Sequence, residues 1–193
     1  MGSKIDTREK ILKTASEMFF SNGYHATGLN AILKKSETPK GSLYYYFPKG
    51  KEELALQAIE VVKDSIKEEI KENLYSSKDP IVGIQEVILN VADIVGREEI
   101  VKGVTVSLLA LEASQTNEIL REACAATFLT WENLYKDRLR ELNISEEDAR
   151  EISRIIQIMI EGAIVMSLTN KDNSSLLLVK DTIEVIIKQY INK

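Results

Sequence analysis

An all-α chain of about nine helices is expected from three features of the sequence. Apolar residues recur at helical spacing in one segment after another. Cap and breaker residues separate those segments, among them Asn22-Gly23, Thr38-Pro39, Pro48, Gly50, Pro80 and Ser145. Charge divides unevenly, which marks a head apart from a body. Residues 1–51 carry nine Lys or Arg against four acids, a net of +5, so a chain of net charge -5 leaves -10 for the rest. A basic head on an acidic body is the asymmetry expected when one end meets a polyanion and the other does not.

The 193 residues suffice for one domain of moderate size or for a small module joined to a larger one, and the second division is adopted: 1–51 as head, 52–193 as body. A single cysteine, Cys124, excludes an internal disulfide, and a single histidine, His25, leaves little for a metal site. No metal or cofactor is expected. No apolar run approaches the 18 or more residues that would cross a bilayer, and no charged-then-apolar leader opens the chain. A cytoplasmic protein with no membrane partner is expected.

The first helix opens on Asp6 with Glu9 in a capping-box-like arrangement. It carries Ile11, Leu12, Ala15, Met18 and Phe19, and it stops at Asn22-Gly23. Thr27 can cap a short second helix bearing Leu29, Ile32 and Leu33. After Ser36-Glu37, Thr38 is the expected N-cap of a third helix, with Pro39 at its first position, running to about Tyr46. Two short helices joined by a tight turn and backed by a third have the layout of a helix-turn-helix.

The stretch "TPKGSLYYYFPKGK", residues 38–51, then acquires roles. Three tyrosines stand among Lys40, Lys49 and Lys51, a composition suited to a flat polyanion. With the third helix entering a major groove, Thr38 and Lys40 meet phosphate and Gly41 permits close approach. Ser42 and Tyr44 reach base edges or thymine methyls, and Tyr45, Lys49 and Lys51 meet backbone phosphate. Thr27 is added to this DNA-contacting set. Leu43, Tyr46 and Phe47 are expected to pack inward.

In the body, a long helix from Glu52 to about Tyr75 carries Leu56, Ile59, Val62, Ile66 and Ile70. A fifth starts at Pro80 with Ile84, Val87, Ile88 and Val91. A sixth with Val104, Val106, Leu108, Leu109 and Leu111 follows a break at Gly96-Arg97. The seventh, about 117–142, places Leu120, Cys124, Phe128, Trp131, Tyr135 and Leu142 on one stripe. Glu146, Glu147 and Asp148 start the eighth in favourable register with the helix dipole, and the ninth runs from about Ser174 to Tyr190.

Residues 7–60 resemble the DNA-binding head of the TetR/AcrR family of bacterial transcriptional regulators. The resemblance rests on "REKILKTASEMFFSNGYHATGL", "GSLYYYF" and "KEELALQAIE", while "ACAATFLTWENLYKDRL" and "MIEGAIVMSLTNKD" are similar to the LmrA/YxaF-like branch. Tyr46 stands where many relatives have histidine. The resemblance implies a ligand-responsive repressor on double-stranded DNA, released by a small hydrophobic or aromatic effector. It implies a pocket offered by Phe128, Trp131 and Tyr135, with Ile88, Val91, Leu109, Met159 and Met166 from other helices. The same stripe reads equally as plain core. Glu161 shares a stripe with Arg150, Arg154 and Gln157 and is read as solvated.

Between Ile155 and Leu168 only Gln157, Glu161 and Ser167 are polar, so the eighth helix is apolar over more than one face and calls for burial on two sides. With the ninth it can form a four-helix bundle with a second copy. Ile155, Gly162, Ala163, Ile183, Ile186 and Ile187 are expected at that homodimer interface. No Gly-rich phosphate loop, Ser/His/Asp set or HExxH pattern suggests catalysis, and a carrier that retains an idle DNA-binding head is the alternative.

Overall fold

The computed structural model describes residues 4–96 and 102–191, and among these it holds nine helices and no strand. They are α1 Lys4–Asn22, α2 Leu29–Ser36, α3 Lys40–Tyr46, α4 Lys51–Leu74, α5 Pro80–Gly96, α6 Lys102–Ala113, α7 Glu118–Arg140, α8 Glu146–Asn170 and α9 Ser174–Ile191. The chain forms two compact units that do not follow a single cut after Lys51. One takes Met1–Lys63 and Thr105–Thr127; the other takes Asp64–Val104 and Phe128–Lys193. Helices α4, α6 and α7 therefore each contribute a segment to both.

In the first unit α1 packs on α2 and α3. Ile11, Ala15 and Phe19 of α1, Ile32 of α2, and Leu43 and Phe47 at α3 are all buried, as i, i+4 and i+8 spacing on one face of α1 requires. The helix already includes Asp6, which therefore lies within α1 rather than capping it. Gly23 ends α1 at φ +82°, and its N–H donates to the Phe19 carbonyl at 3.0 Å, a left-handed stop that glycine adopts without steric cost. The cap of α2 is Gly28 and that of α3 is Pro39, each one residue later than the sequence suggests and neither with a side-chain cap bond. Glu37, closing α2, stands at φ 51°, a left-handed position that few non-glycine residues occupy.

In the second unit α5, α8 and α9 pack on one another. Ile84 and Ile88 meet a core shared with Ile152, Ile156, Ile160, Leu176, Ile183 and Ile187, all buried. Gly83 lets α5 pass close to the end of α4, because a Cβ there would strike the backbone carbonyl of Leu74. The buried guanidinium of Arg138 donates to the Ser77 carbonyl at 2.6 Å, pairs with Glu141 and lies 4.8 Å from the Tyr75 ring centre. The expected break at Gly96-Arg97 lies partly outside the described residues, as does the side chain of Val104.

One window of α8 is apolar enough, by length and composition, to cross a membrane. Counting uninterrupted apolar residues overlooks it, because Gln157 and Glu161 interrupt the run. The helix instead buries Ile152, Ile156, Ile160 and Ile164 within the unit and leaves its opposite side exposed.

Candidate nucleic-acid interface and pairing face

Buried Leu43 and Phe47 set the orientation of α3, since a seven-residue helix anchored on one side must present its other side outward. Lys40, Gly41, Tyr44, Tyr45 and Lys49 are exposed; Thr38, Ser42 and Tyr46 are partly so. Tyr44 and Tyr45 are 47% and 68% exposed, unusual for aromatic side chains, which commonly bury their large apolar surface. The Lys40 ammonium lies 6.0 Å from the Tyr44 ring centre, and the Tyr45 and Tyr46 rings meet edge to face at 4.9 Å. Exposed aromatic rings and the Lys40 ammonium thus share one outward surface.

Two residues of the expected DNA-contacting set have internal tasks. Thr27 is buried, and its hydroxyl donates to the carbonyls of Met18 and Gly23 at 3.0 and 2.8 Å, which closes the loop between α1 and α2. Its side chain is a clasp inside the head rather than an arm toward DNA. Lys51 places its ammonium 4.4 Å from the Tyr24 ring centre and 3.5 Å from the His25 carbonyl. Partial burial lowers its pKa, with nearby Glu112 opposing that shift, so it too serves the packing of the head. The Thr38 hydroxyl shares a 2.7 Å hydrogen bond with Ser36, which steadies the turn between α2 and α3.

The residues named for an effector pocket divide. Ile88, Trp131 and Tyr135 are buried, and Val91, Phe128 and Met159 are half-buried, all within the second unit. Phe128 and Trp131 meet edge to face at 5.8 Å. Burial, with a smaller contribution from Glu161, raises the Tyr135 pKa far above the ordinary phenol value. Leu109 is buried in the first unit. Met166 is 56% exposed on the outer side of α8, so it belongs to that surface and not to an interior wall. Gln157 is buried and donates to Glu161 at 2.8 Å, so the stripe read as solvated turns inward beyond Arg154.

The residues expected at a pairing face also divide. Ala163, Ile183 and Ile187 are buried inside the second unit and have no surface to offer a partner; Ile155 and Ile186 are half-buried, and Gly162 is exposed. The outward large apolar residues are instead Ile158, Val165, Met166 and Leu168 on α8 and Leu177, Leu178, Val185 and Ile191 on α9. Sequence reasoning chose bulky and small apolar positions without a phase. A helix apolar on two sides reveals that it has two apolar faces, not which residues belong to each.

The sequence of the head, residues 11–58, matches the model of the bacterial regulatory proteins of the tetR family. Residues 80–182 match that of the transcriptional regulator LmrA/YxaF-like C-terminal domain. The chain belongs to the TetR family. Within that family it is 44% identical to the uncharacterized HTH-type transcriptional regulator YxaF of Bacillus subtilis (strain 168), over 98% of this chain and 99% of the relative. It is 41% identical to the HTH-type transcriptional regulator LmrA of the same organism, over 95% and 98%. A TetR transcriptional regulator from Chloroflexus aurantiacus J-10-FL shares the fold at TM-score 0.82, with 22% identity and 96% of each chain covered. TetR-family membership makes this chain a transcriptional regulator with a helix-turn-helix head.

Proposed function

We propose that this protein is a cytoplasmic repressor that binds a palindromic operator as a homodimer and is released by a small hydrophobic or aromatic effector. The observation that carries the DNA-binding part is the surface at α3, where Tyr44 and Tyr45 are exposed, the Lys40 ammonium lies near the Tyr44 ring, and exposed Lys49 follows the helix, on a head of net charge +5. Tyrosine faces and hydroxyls suit thymine methyls and base edges, while the lysines neutralise phosphate. Thr38, Gly41 and Ser42 complete that surface. Thr27 and Lys51 hold it in shape from behind.

The outward apolar side of α8 and α9 supports the homodimer. Ile158, Val165, Met166, Leu178 and Val185 form a row too apolar for a solvated face, and exposed Gly162 permits close helix approach. Two heads roughly 34 to 36 Å apart would occupy successive major grooves and select a two-fold symmetric site. The aromatic residues Phe128, Trp131 and Tyr135, with Ile88, Val91 and Met159, form the surroundings of the effector. An effector that favours one conformation of the body by about 1–3 kcal/mol changes operator affinity roughly 5- to 150-fold.

A mobility-shift titration with DNA from upstream of the protein's own gene tests the reading. A discrete complex with nanomolar affinity, dissociated by one member of a panel of planar phenolic or aromatic compounds, is the expected result. Binding no tighter than to unrelated DNA at physiological salt would refute it.

A further inference from the structure

Residues 105–127, which the sequence assigns to the body, form one compact unit with the DNA-reading head. Glu112, near the end of α6, makes hydrogen bonds into the head. Its carboxylate accepts the backbone N–H of Tyr24 at 2.5 Å and that of His25 at 3.3 Å, in the loop that joins α1 to α2. The Thr116 hydroxyl donates to the Glu112 carbonyl at 2.7 Å and lies 3.3 Å from His25 Nε2. Asn117 completes the arrangement. Its Oδ1 accepts the Leu120 N–H at 3.0 Å at the start of α7, and its Nδ2 donates to Glu52, in the first turn of α4, at 2.8 Å.

Gly23 shows how closely this loop and α6 fit. It stands at φ +82°, and a Cβ added there would collide with the Glu112 carboxylate. The glycine thus satisfies both a left-handed stop and a close approach. Four residues later the Thr27 hydroxyl returns to the Gly23 carbonyl, so the loop that Glu112 grips sets the direction in which α2 leaves α1. An acid in this place would repel a phosphate, yet a carboxylate that accepts two N–H groups makes strong, charge-assisted hydrogen bonds.

We infer that Glu112 is a positioning residue for operator recognition: it fixes the loop at Tyr24 and His25 and thereby the placement of α2 and α3, without neutralising phosphate. This rests on the regulator reading above. The role is carried by two hydrogen bonds, so it is measurable apart from DNA binding.

The test compares full-length wild type with Glu112→Gln and Glu112→Ala. Amide hydrogen exchange is read at Tyr24 and His25, and affinity for the upstream DNA fragment is read as a function of salt. Glu112→Ala is expected to speed exchange at both amides about tenfold or more while the core amides of α8 and α9 stay protected. Operator affinity falls about tenfold, and the salt slope stays unchanged because no phosphate contact is lost. Glu112→Gln keeps one acceptor oxygen and restores part of both effects. In a double-mutant cycle, Gly23→Ala costs less in the Glu112→Ala background than in wild type, because the collision is gone while the strain at φ +82° remains.

Unchanged exchange at Tyr24 and His25 in Glu112→Ala would overturn the inference while leaving the regulator reading intact. So would unchanged affinity, or a salt slope altered as much as by loss of a phosphate-binding lysine. Wild-type protein that binds no DNA would instead remove the regulator reading and this role with it. Should Glu112→Ala fail to fold, the exchange and affinity of Glu112→Gln decide.

Discussion

Lys40 stands at the start of α3 with its ammonium over the rim of the Tyr44 ring, anchored to a helix that Leu43 and Phe47 lock from below. A phosphate contact from that position contributes through counterion release. Lys40→Ala is therefore expected to weaken operator binding and to lower the slope of log affinity against log salt by about 1 per head, or about 2 for a dimer, in a salt titration. Thr27 shows the converse case, since a hydroxyl in the same head is spent on two internal carbonyls. Cys124 illustrates burial of a titratable group. Desolvation raises its thiol pKa to about 11, so the folded protein holds the proton more tightly than the unfolded chain. The resulting stability is present in full below the unfolded pKa and is lost as pH rises from about 9 toward about 11. Denaturant midpoints of wild type should fall over that range, and those of Cys124→Ala should fall less.

Among the helices, α8 has the most explicit start. The Ser145 side chain accepts the Asp148 N–H at 3.0 Å, and Glu146, Glu147 and Asp148 occupy the first turn. Ser145→Ala removes that acceptor and is expected to lower stability by about 1 kcal/mol in chemical denaturation, with operator affinity per folded dimer unchanged. The same helix carries two apolar sides, one buried against α5 and α9 and one turned outward. Its apolar pattern and its cap are local features, and both were readable in the chain. The phase was not. Ala163 and Val165 are both apolar and two positions apart, and only packing against α5 and α9 decides that the first is buried and the more hydrophobic second is exposed.

For the whole molecule, the proposed homodimer makes the exposed apolar residues of α8 and α9 the test of assembly. Val165→Glu would set two carboxylates against an apolar partner face. It is expected to weaken dimerisation by about 3 kcal/mol, roughly a hundredfold, seen by light scattering as a one-chain mass at micromolar concentration. Operator affinity should collapse with it, since each head alone loses its partner's contacts. Glu112 belongs to this scale too, because 89 residues further along the chain from Gly23 it completes the head's first loop.

Local chemistry written along the chain set the all-α class, the order of the helices, the basic head and the candidate groove-facing stretch, because periodicity, caps, turn residues and charge act over a few residues. Tertiary structure alone decided that Thr27 is buried, that the Lys51 ammonium lies over the Tyr24 ring, that Met166 lies outside, and that Ile183 and Ile187 are core rather than interface. It also decided that Glu112 joins the head. Each of these depends on which elements pack together, and a contact between residues 24 and 112 leaves no periodic trace in the sequence.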